Sequence, residues 1–361
     1  MHRLIALSLL TLVASLSLAQ DKPKVEPWVC PPGFEGQTLH VFNWSSYIAP
    51  NTIGDFEAAC GVTIVYSVYD SNETMLAKLV RGNPGYDIAV PSGSAVGRMI
   101  QLDLLEPLDL DKLPQLATIS SDLLNPPYDP GNVYSVPYQW GTTGIGYNRK
   151  KVTQPISSWD DLWNYQGKVA WLGDMRGMMG IALHLLGFSP DTTDPDEITA
   201  ARDFLLSKGD NVAIIATGDG QIMLERGDVD MVIGYNGSII ALKYSCECDD
   251  FAYVVPQEGS FIWVDNLVIP RGAPNPELAH VFIDYILHPQ TNADISNFTA
   301  YGSPNQVAID AGLIDEALLA NEGIYPPPAI REKLFFIGPV PNQVDVLYSD
   351  AWDEVAILLS R

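Results

Sequence analysis

Stretches typical of β-strands alternate with stretches typical of helices over most of the chain, starting at Thr38. Residues 38–43 are apolar and strand-like, and residues 53–60 have helical character and stop before Gly61, a residue common just after a helix. Residues 62–69 are β-branched and aromatic, which favours a second strand. This alternation predicts an α/β fold with mostly parallel strands.

The same alternation predicts the later elements. Strands are expected at residues 87–90, 168–172, 231–234, 251–255 and 261–269. Helices are expected at residues 73–81, 95–101, 178–186, 196–207 and 276–287. Ser71 or Asn72 caps the first of these helices. Two more helices are expected, one that begins after its cap Ser158 and a last one from about Ala351. Residues 134–147 are extended and glycine-rich, and we interpret them as a strand that crosses into a second lobe.

The first 19 residues predict a signal peptide. His2 and Arg3 are basic, residues 4–18 are almost entirely apolar, and Ser-Leu-Ala at 17–19 is a small-residue cleavage motif. The apolar run is shorter than the ~20 residues that cross a bilayer, so we expect an exported protein that does not insert into the membrane. Residues 20–37 then form an N-terminal tether. We assign residues 38–138 plus 268–303 to lobe 1 and residues 139–267 plus 304–361 to lobe 2.

The chain is strongly acidic, with 44 acidic and 20 basic residues and a formal net charge of −24. This balance excludes a nucleic-acid-binding surface and disfavours anionic membranes. It attracts a cationic ligand, although the same charge would simply keep an exported protein soluble.

The four cysteines, Cys30, Cys60, Cys246 and Cys248, allow three disulfide pairings in an oxidising compartment. Their spacing does not match a structural zinc site, and the five histidines form no cluster, so we expect no metal and no cofactor. Nucleotide-binding loops and nucleophile motifs are also missing from the sequence, which argues against an enzyme.

Polar and aromatic residues gather where predicted strands end, and ligands bind beyond the carboxyl ends of strands in open α/β sheets. The candidate ligand-binding residues are Trp44, Ser45, Ser46, Tyr47, Ser92, Asp174, Tyr235, Trp263, Asp265 and Tyr301. A carboxylate among aromatic rings offsets the hydration that an ammonium group loses on burial. Any one of these residues could equally be a packing or capping residue, but Trp263 and Asp265 share one strand face.

Five motifs in the chain resemble the polyamine-binding branch of the bacterial periplasmic solute-binding proteins. They are Phe42-Asn-Trp-Ser-Ser-Tyr-Ile-Ala-Pro50, Tyr69-Asp-Ser-Asn-Glu-Thr-Met75, Tyr86-Asp-Ile-Ala-Val-Pro-Ser92, Pro137-Tyr-Gln-Trp-Gly-Thr-Thr-Gly-Ile-Gly146 and Ile324-Tyr-Pro-Pro. The resemblance implies a two-lobed periplasmic-binding-protein fold of type II, with crossing hinge strands. It also implies a monomeric receptor that brings a small cationic amine to the membrane permease of an ABC transporter.

The resemblance also assigns roles within the candidate site. It implies that Trp44, Tyr47, Trp263 and Tyr301 are aromatic walls, that Ser92 is a hydroxyl contact, and that Asp174 and Asp265 hold amines. The resemblance places Tyr235 where relatives usually have Trp.

Two further positions depart from the family. Ser46 stands where relatives carry an acid, and Gly177 where they carry a Glu. We therefore expect a ligand with altered amine spacing or fewer charges than spermidine, with agmatine, cadaverine or a quaternary ammonium as alternatives. A polyamine sensor that signals to a membrane receptor is a second possible function.

Overall fold

The computed structural model describes residues 22–216, 218 and 220–359. The predicted signal peptide lies outside these residues. The strands of the described part are β1 (Thr38–Trp44), β2 (Thr63–Tyr69), β3 (Ile88–Ala89), β4 (Ser135–Asn148), β5 (Val169–Leu172), β6 (Val212–Ala216), β7 (Met231–Tyr235), β8 (Phe251–Val254) and β9 (Ile262–Val268).

Helices surround these strands. In chain order they are α1 (Thr52–Cys60), α2 (Asn72–Leu79), α3 (Gly93–Gln101), α4 (Trp159–Trp163), α5 (Met175–Leu185), α6 (Pro195–Ser207), α7 (Gln221–Arg226), α8 (Asn236–Ser245), α9 (Pro276–Leu287), α10 (Pro289–Thr299), α11 (Gln306–Asp310), α12 (Glu316–Leu319), α13 (Pro328–Arg331) and α14 (Asn342–Leu359). Short 3₁₀ turns lie at Leu110–Lys112, Pro114–Thr118 and Gly209–Asn211. Within the described part, no helix is both long enough and apolar enough to cross a membrane.

The strands follow the order β2-β1-β3-β9-β4-β7-β5-β6, with β8 added to β4. β1 pairs in parallel with β2 and β3, and β5 pairs in parallel with β6 and β7. Each antiparallel ladder involves β4 or β9. The prediction of a two-lobed α/β fold is thereby confirmed, because two parallel sheets are joined by two long crossing strands.

The crossing strands run side by side, from Ser135 opposite Val268 to Thr142 opposite Ile262. Beyond Thr142, β4 leaves β9 and pairs with β7 and β8. One strand therefore contributes to both lobes, as expected for residues 134–147. The exact lobe boundaries remain a prediction.

Each lobe has its own apolar core. One core packs β1 and β3 against α1, α9 and α10, with Phe56, Phe282 and Ile286 fully buried. The other packs β5 and β7 against α5, α6 and α14, with Trp171 and Met178 fully buried. The strand ends that carry predicted ligand-binding residues are thus each supported by a packed core.

Local caps explain several helix starts. Ser71 Oγ accepts a hydrogen bond from the Thr74 backbone N–H at 3.1 Å, so Ser71 is the cap of α2. Ser158 and Asp161 form a capping box at α4. Gly61 ends α1 at φ 65°, a left-handed conformation that glycine adopts without strain.

The predicted start of the last helix is wrong. α14 begins at Asn342, about nine residues before Ala351. Its buried residues, Tyr348, Ala351, Trp352 and Val355, keep helical spacing, but the exposed Val346 and Leu347 obscure that pattern in the sequence. The sequence pattern does not predict β6, an edge strand whose apolar side chains are mostly half-buried or exposed.

The structure selects one of the three disulfide pairings, Cys30–Cys60 with Cys246–Cys248. The first bond joins the segment before β1 to the end of α1. Trp28 in the same segment packs against Phe56 and Tyr285 and donates its Nε1–H to Asp284 at 3.0 Å. The N-terminal segment is thus bound to the surface of one lobe.

Candidate functional site

Asp265 lies on β9 opposite Gln139 of β4, at the point where the two lobes meet. It is 8% exposed, and Tyr47 donates its phenolic O–H to Asp265 Oδ2 at 2.7 Å. Burial raises the pKa of Asp265 to about 7, although the Tyr47 hydrogen bond opposes this shift. Among the described residues, no Lys, Arg or His forms an ion pair with this carboxylate.

Four aromatic rings extend from Asp265 in an edge-to-face series. Tyr47 and Tyr301 have ring centroids 5.4 Å apart, Tyr301 and Trp263 are 5.1 Å apart, and Trp263 and Tyr235 are 6.0 Å apart. In edge-to-face packing the edge of one ring meets the electron-rich face of the next, and the ring faces that stay uncovered attract cations. We call Tyr47, Tyr235, Trp263, Asp265 and Tyr301 the Asp265 cluster; all five were predicted site residues.

The cluster draws residues from both lobes. Tyr47 follows β1, and its backbone carbonyl accepts a hydrogen bond from the Tyr138 hydroxyl. Tyr235 ends β7, and α8 begins directly after it. Gly237 in the first turn of α8 lies against the ring of Tyr301, so any side chain at this position would collide with it. The absence of a side chain at Gly237 thus lets the two lobes approach each other.

Ser92 adjoins the cluster through a backbone bridge to Asp265. Its hydroxyl accepts a hydrogen bond from Asn72 Nδ2 at 2.8 Å, which ties the start of α3 to the start of α2. Ser238 was not predicted, but its Oγ lies 3.4 Å from the hydroxyl of Tyr301. In the sequence, only its position shortly after the strand predicted at residues 231–234 could have indicated it.

Three predicted residues at the end of β1 lie outside these contacts. Trp44 packs on Tyr69 and donates its Nε1–H to the Val90 carbonyl at 2.8 Å. Ser45 is exposed, and its hydroxyl lies 3.4 Å from Asp70. Ser46 is also exposed, with a positive φ of 55°. The structure therefore places Trp44 in a packing contact and the two serines at the solvent-facing edge.

Asp174, the second predicted carboxylate, is the N-cap of α5. Its Oδ1 accepts the backbone N–H of Gly177 at 3.0 Å. Burial raises the pKa of Asp174, and the negative charge of Glu73 adds to this effect, while the Gly177 N–H and the charge of Arg176 oppose it. The cost of burying the charge of Asp174 is thus partly offset by the Gly177 N–H and by Arg176.

The charge of Arg176 is directed away from the Asp265 cluster. Its guanidinium bonds to Asp191 at 2.8 Å and stacks on Tyr348 at 4.3 Å. Asp191 in turn accepts the backbone N–H of Gly338. This arrangement fastens α5 to the chain before α14 and engages the guanidinium in contacts outside the Asp265 cluster.

Two buried polar atoms beside the cluster have no partner in the described protein, Trp263 Nε1 and Asn236 Oδ1. Both side chains crowd the place that a side chain at Gly141 would occupy. One atom is a donor and the other an acceptor, so each can hydrogen-bond to a bound molecule. Elsewhere in the described part of the chain, no group of three His, Cys, Asp or Glu side chains is arranged to hold a metal ion.

Comparisons with known proteins agree with this architecture. A family model described as bacterial extracellular solute-binding protein matches residues 51–321. A putrescine-binding periplasmic protein of Pseudomonas aeruginosa (strain UCBPP-PA14) is 33% identical over 371 residues, covering 98% of this chain and 97% of the relative. The spermidine/putrescine-binding periplasmic protein of Escherichia coli (strain K12) is 34% identical over 296 residues, covering 81% of this chain and 84% of the relative.

The similarity extends to solved structures. The substrate-binding protein of a spermidine/putrescine ABC transporter from Streptococcus pneumoniae superposes with a TM-score of 0.82 at 30% identity, covering 90% of this chain and 100% of that chain. The resemblance to the polyamine-binding branch is confirmed. The chain belongs to the family of bacterial extracellular solute-binding proteins.

Proposed function

We propose that this protein binds a polyamine outside the cytoplasm and delivers it to the membrane permease of an ABC importer. The observation that carries the proposal is Asp265, a buried carboxylate with aromatic neighbours and no cationic partner among the described residues. An ammonium group placed there gains a charge-assisted hydrogen bond and contacts with ring faces. The relatives are named as putrescine-binding or spermidine/putrescine-binding proteins, which supports the same ligand class.

Binding and lobe closure are coupled in this proposal. Tyr47 follows β1 of one lobe and Tyr235 ends β7 of the other, and the rings of Tyr301 and Trp263 connect them. A ligand that contacts both sides stabilises the closed form by its extra affinity for that form. The permease then recognises the closed receptor, and the ligand is released chemically unchanged.

The remaining parts of the proposal concern location and assembly. The signal peptide predicted at residues 1–19 directs the chain to the periplasm, where the Cys30–Cys60 bond can form. The receptor acts as a monomer. A signalling role without transport is favoured neither by the site nor by the relatives.

A thermal-shift screen of the mature protein tests the ligand class. The panel contains putrescine, cadaverine, spermidine, spermine, agmatine, choline, neutral sugars and amino acids. A ligand at 100 times its Kd stabilises the folded state by about 2.7 kcal/mol, so a true ligand gives a clear rise in Tm. Stabilisation by polyamines and by none of the neutral compounds is expected, whereas stabilisation only by a sugar or a neutral amino acid would overturn the proposal. Mass spectrometry of the recovered amine should show no chemical change.

A further inference from the structure

The disulfide between Cys246 and Cys248 lies at the end of α8 and encloses a single residue, Glu247. The helix ends one residue before Cys246. The backbone N–H of Cys246 donates to the Leu242 carbonyl at 3.0 Å, and that of Cys248 donates to the Lys243 carbonyl at 3.2 Å. The disulfide therefore joins two residues that close the last turn of the helix.

Glu247, between the two cysteines, has a left-handed backbone with a φ of 49°. Lys243 is the third residue from the end of the helix, and the hydrogen bond that it accepts from Cys248 is the long bond of a Schellman motif. Glycine is the usual left-handed residue of this motif, and a side chain disfavours the conformation. The disulfide thus holds a helix end that Glu247 itself opposes, so Glu247 can leave this conformation when the bond opens.

The two cysteines of this bond differ in exposure. Cys246 is exposed, whereas Cys248 is half-buried and packs on the apolar cluster that contains Leu242 and Phe251. Thiolates cleave a disulfide by attacking one sulfur and expelling the other, and the rate depends on access to the attacked sulfur. Cys246 is therefore the sulfur that an external thiolate reaches, and Cys248 is the leaving group.

The Cys30–Cys60 bond is a contrasting case. Cys60 is 4% exposed, and its bond joins residues 30 positions apart in the sequence, against 2 for Cys246 and Cys248. A disulfide contributes more to stability when it closes a longer loop, and exposed disulfides are the ones that exchange readily. Opening the Cys246–Cys248 bond frees one turn, while Ile239 stays buried and holds the rest of α8 on its core.

We propose that Cys246–Cys248 is a site of thiol–disulfide exchange that clamps the end of α8, and that a dithiol opens it in the folded protein while Cys30–Cys60 stays closed. One thiolate of the dithiol attacks Cys246 Sγ, the Cys246–Cys248 bond breaks, and Cys248 leaves as a thiolate and takes up a proton. The second thiol, after losing its proton, displaces Cys246, which is protonated in turn. Two electrons and two protons thus pass to the protein, and the dithiol becomes a disulfide. The site lies at the opposite end of α8 from Tyr235, so the inference does not depend on the proposed function.

Graded reduction of the folded mature protein by dithiothreitol, followed by alkylation and peptide mass spectrometry, tests the selectivity. Cys246 and Cys248 should become alkylated at dithiothreitol concentrations at least about tenfold below those that open Cys30–Cys60. Circular dichroism should show a folded protein at these lower concentrations. Opening of both bonds at the same concentration, or resistance of Cys246–Cys248 until the protein unfolds, would overturn the proposal.

A monothiol tests which sulfur is attacked, because it lacks the second thiol that completes the reduction. After brief treatment with 2-mercaptoethanol and an acid quench, mass spectrometry should find the mixed disulfide mainly on Cys246. An adduct mainly on Cys248 would contradict the assignment of the exposed sulfur as the point of attack.

Glu247→Gly tests the clamp. Glycine adopts the left-handed conformation without the side-chain penalty, and this gain exceeds the greater freedom of glycine in the open form. The equilibrium constant for reduction by dithiothreitol should therefore fall about threefold. Glu247→Ala is the matched control, because it removes the carboxylate but keeps the Cβ atom, and its constant should equal that of the wild type. An unchanged constant in Glu247→Gly, or an equal fall in both variants, would show that the bond does not hold a disfavoured helix end.

Discussion

Asp265 and Asp174 are the two carboxylates of the candidate site and are held by different kinds of structure. Asp265 projects from a strand into aromatic rings and receives one side-chain hydrogen bond, from Tyr47. Asp174 caps a helix, where backbone N–H groups and the positive end of the helix dipole favour its ionised form. Burial raises the pKa of both carboxyls, that of Asp265 to about 7.

The contrast shows which carboxylate needs a ligand. The helix start already offsets part of the cost of burying the charge of Asp174. Little in the described protein offsets the cost of burying the charge of Asp265. A bound ammonium group therefore stabilises the ionised form of Asp265 more than that of Asp174. We therefore expect Asp265 to dominate affinity and Asp174 to contribute less. The following experiments are ordered by the size of the expected effect.

Asp265→Asn should weaken putrescine binding by more than about 100-fold, because removing one partner of a buried ion pair costs roughly 3–5 kcal/mol. Isothermal titration near neutral pH measures the loss. The control is Asp284→Asn, which changes another carboxyl whose pKa is raised by burial and which bonds to Trp28 and Gln115 in lobe 1. If Asp265→Asn weakened binding by less than about threefold, Asp265 would not be a ligand-binding residue.

Affinity should depend on pH through Asp265. With a pKa of about 7 in the empty protein, the carboxyl is mostly protonated at pH 5.5, and the ammonium group must displace that proton. Putrescine affinity should therefore rise about 25-fold from pH 5.5 to pH 7.5 and then level off. Proton release, measured by calorimetry in buffers of different ionisation enthalpy, checks the cause, and Asp265→Asn should abolish it.

The stability of the empty protein should show the opposite trend. The pKa of Asp265 is about 7 when folded and about 3.9 when unfolded, so the folded state binds more protons between these values. The contribution of Asp265 to the free energy of unfolding is thus greatest below about pH 4 and is lost as the pH rises through 7. A wild-type protein whose pH dependence matched that of Asp265→Asn would contradict this pKa.

Asp174→Asn should weaken putrescine binding by about tenfold, because the ammonium group loses a hydrogen bond to a charged carboxylate, which contributes roughly 1.5 kcal/mol. Asn caps helices as well as Asp, so the variant removes the charge and keeps the start of α5. Comparison of Tm values verifies that α5 is intact. If Asp174→Asn lost as much putrescine affinity as Asp265→Asn, the proposed difference between the two carboxylates would be wrong.

Tyr47→Phe should have the smallest effect, a loss of roughly fivefold, because it removes one hydrogen bond worth about 1 kcal/mol and keeps the ring. The Tyr47 hydroxyl lowers the pKa of Asp265, so its removal should move the pH profile of binding to higher pH. Tyr138→Phe is the control, because the Tyr138 hydroxyl bonds to a backbone carbonyl and not to Asp265. An unchanged midpoint in Tyr47→Phe would mean that the hydroxyl does not tune Asp265.

The sequence predicted Tyr47 and Tyr235 because parallel strands bring their carboxyl ends to one edge of a sheet. It predicted Trp263 and Asp265 from the strand that returns between the lobes, and Tyr301 from the turn before Pro304. Strand parity similarly placed Trp263 beside Asp265. The sequence did not predict Ser238, because a serine in the first turn of a helix has no distinctive pattern. Its contact with Tyr301 joins segments more than 60 residues apart in the chain.

The sequence by itself determined the α/β alternation, the crossing segment at residues 134–147 and the kinds of side chain at the site, because periodicity and turn residues act locally. Tertiary structure alone decided the Cys30–Cys60 pairing and the use of Asp174 as a helix cap. It also decided the pKa of Asp265. Burial and charge compensation depend on atoms from distant segments, and local sequence does not encode their packing distances.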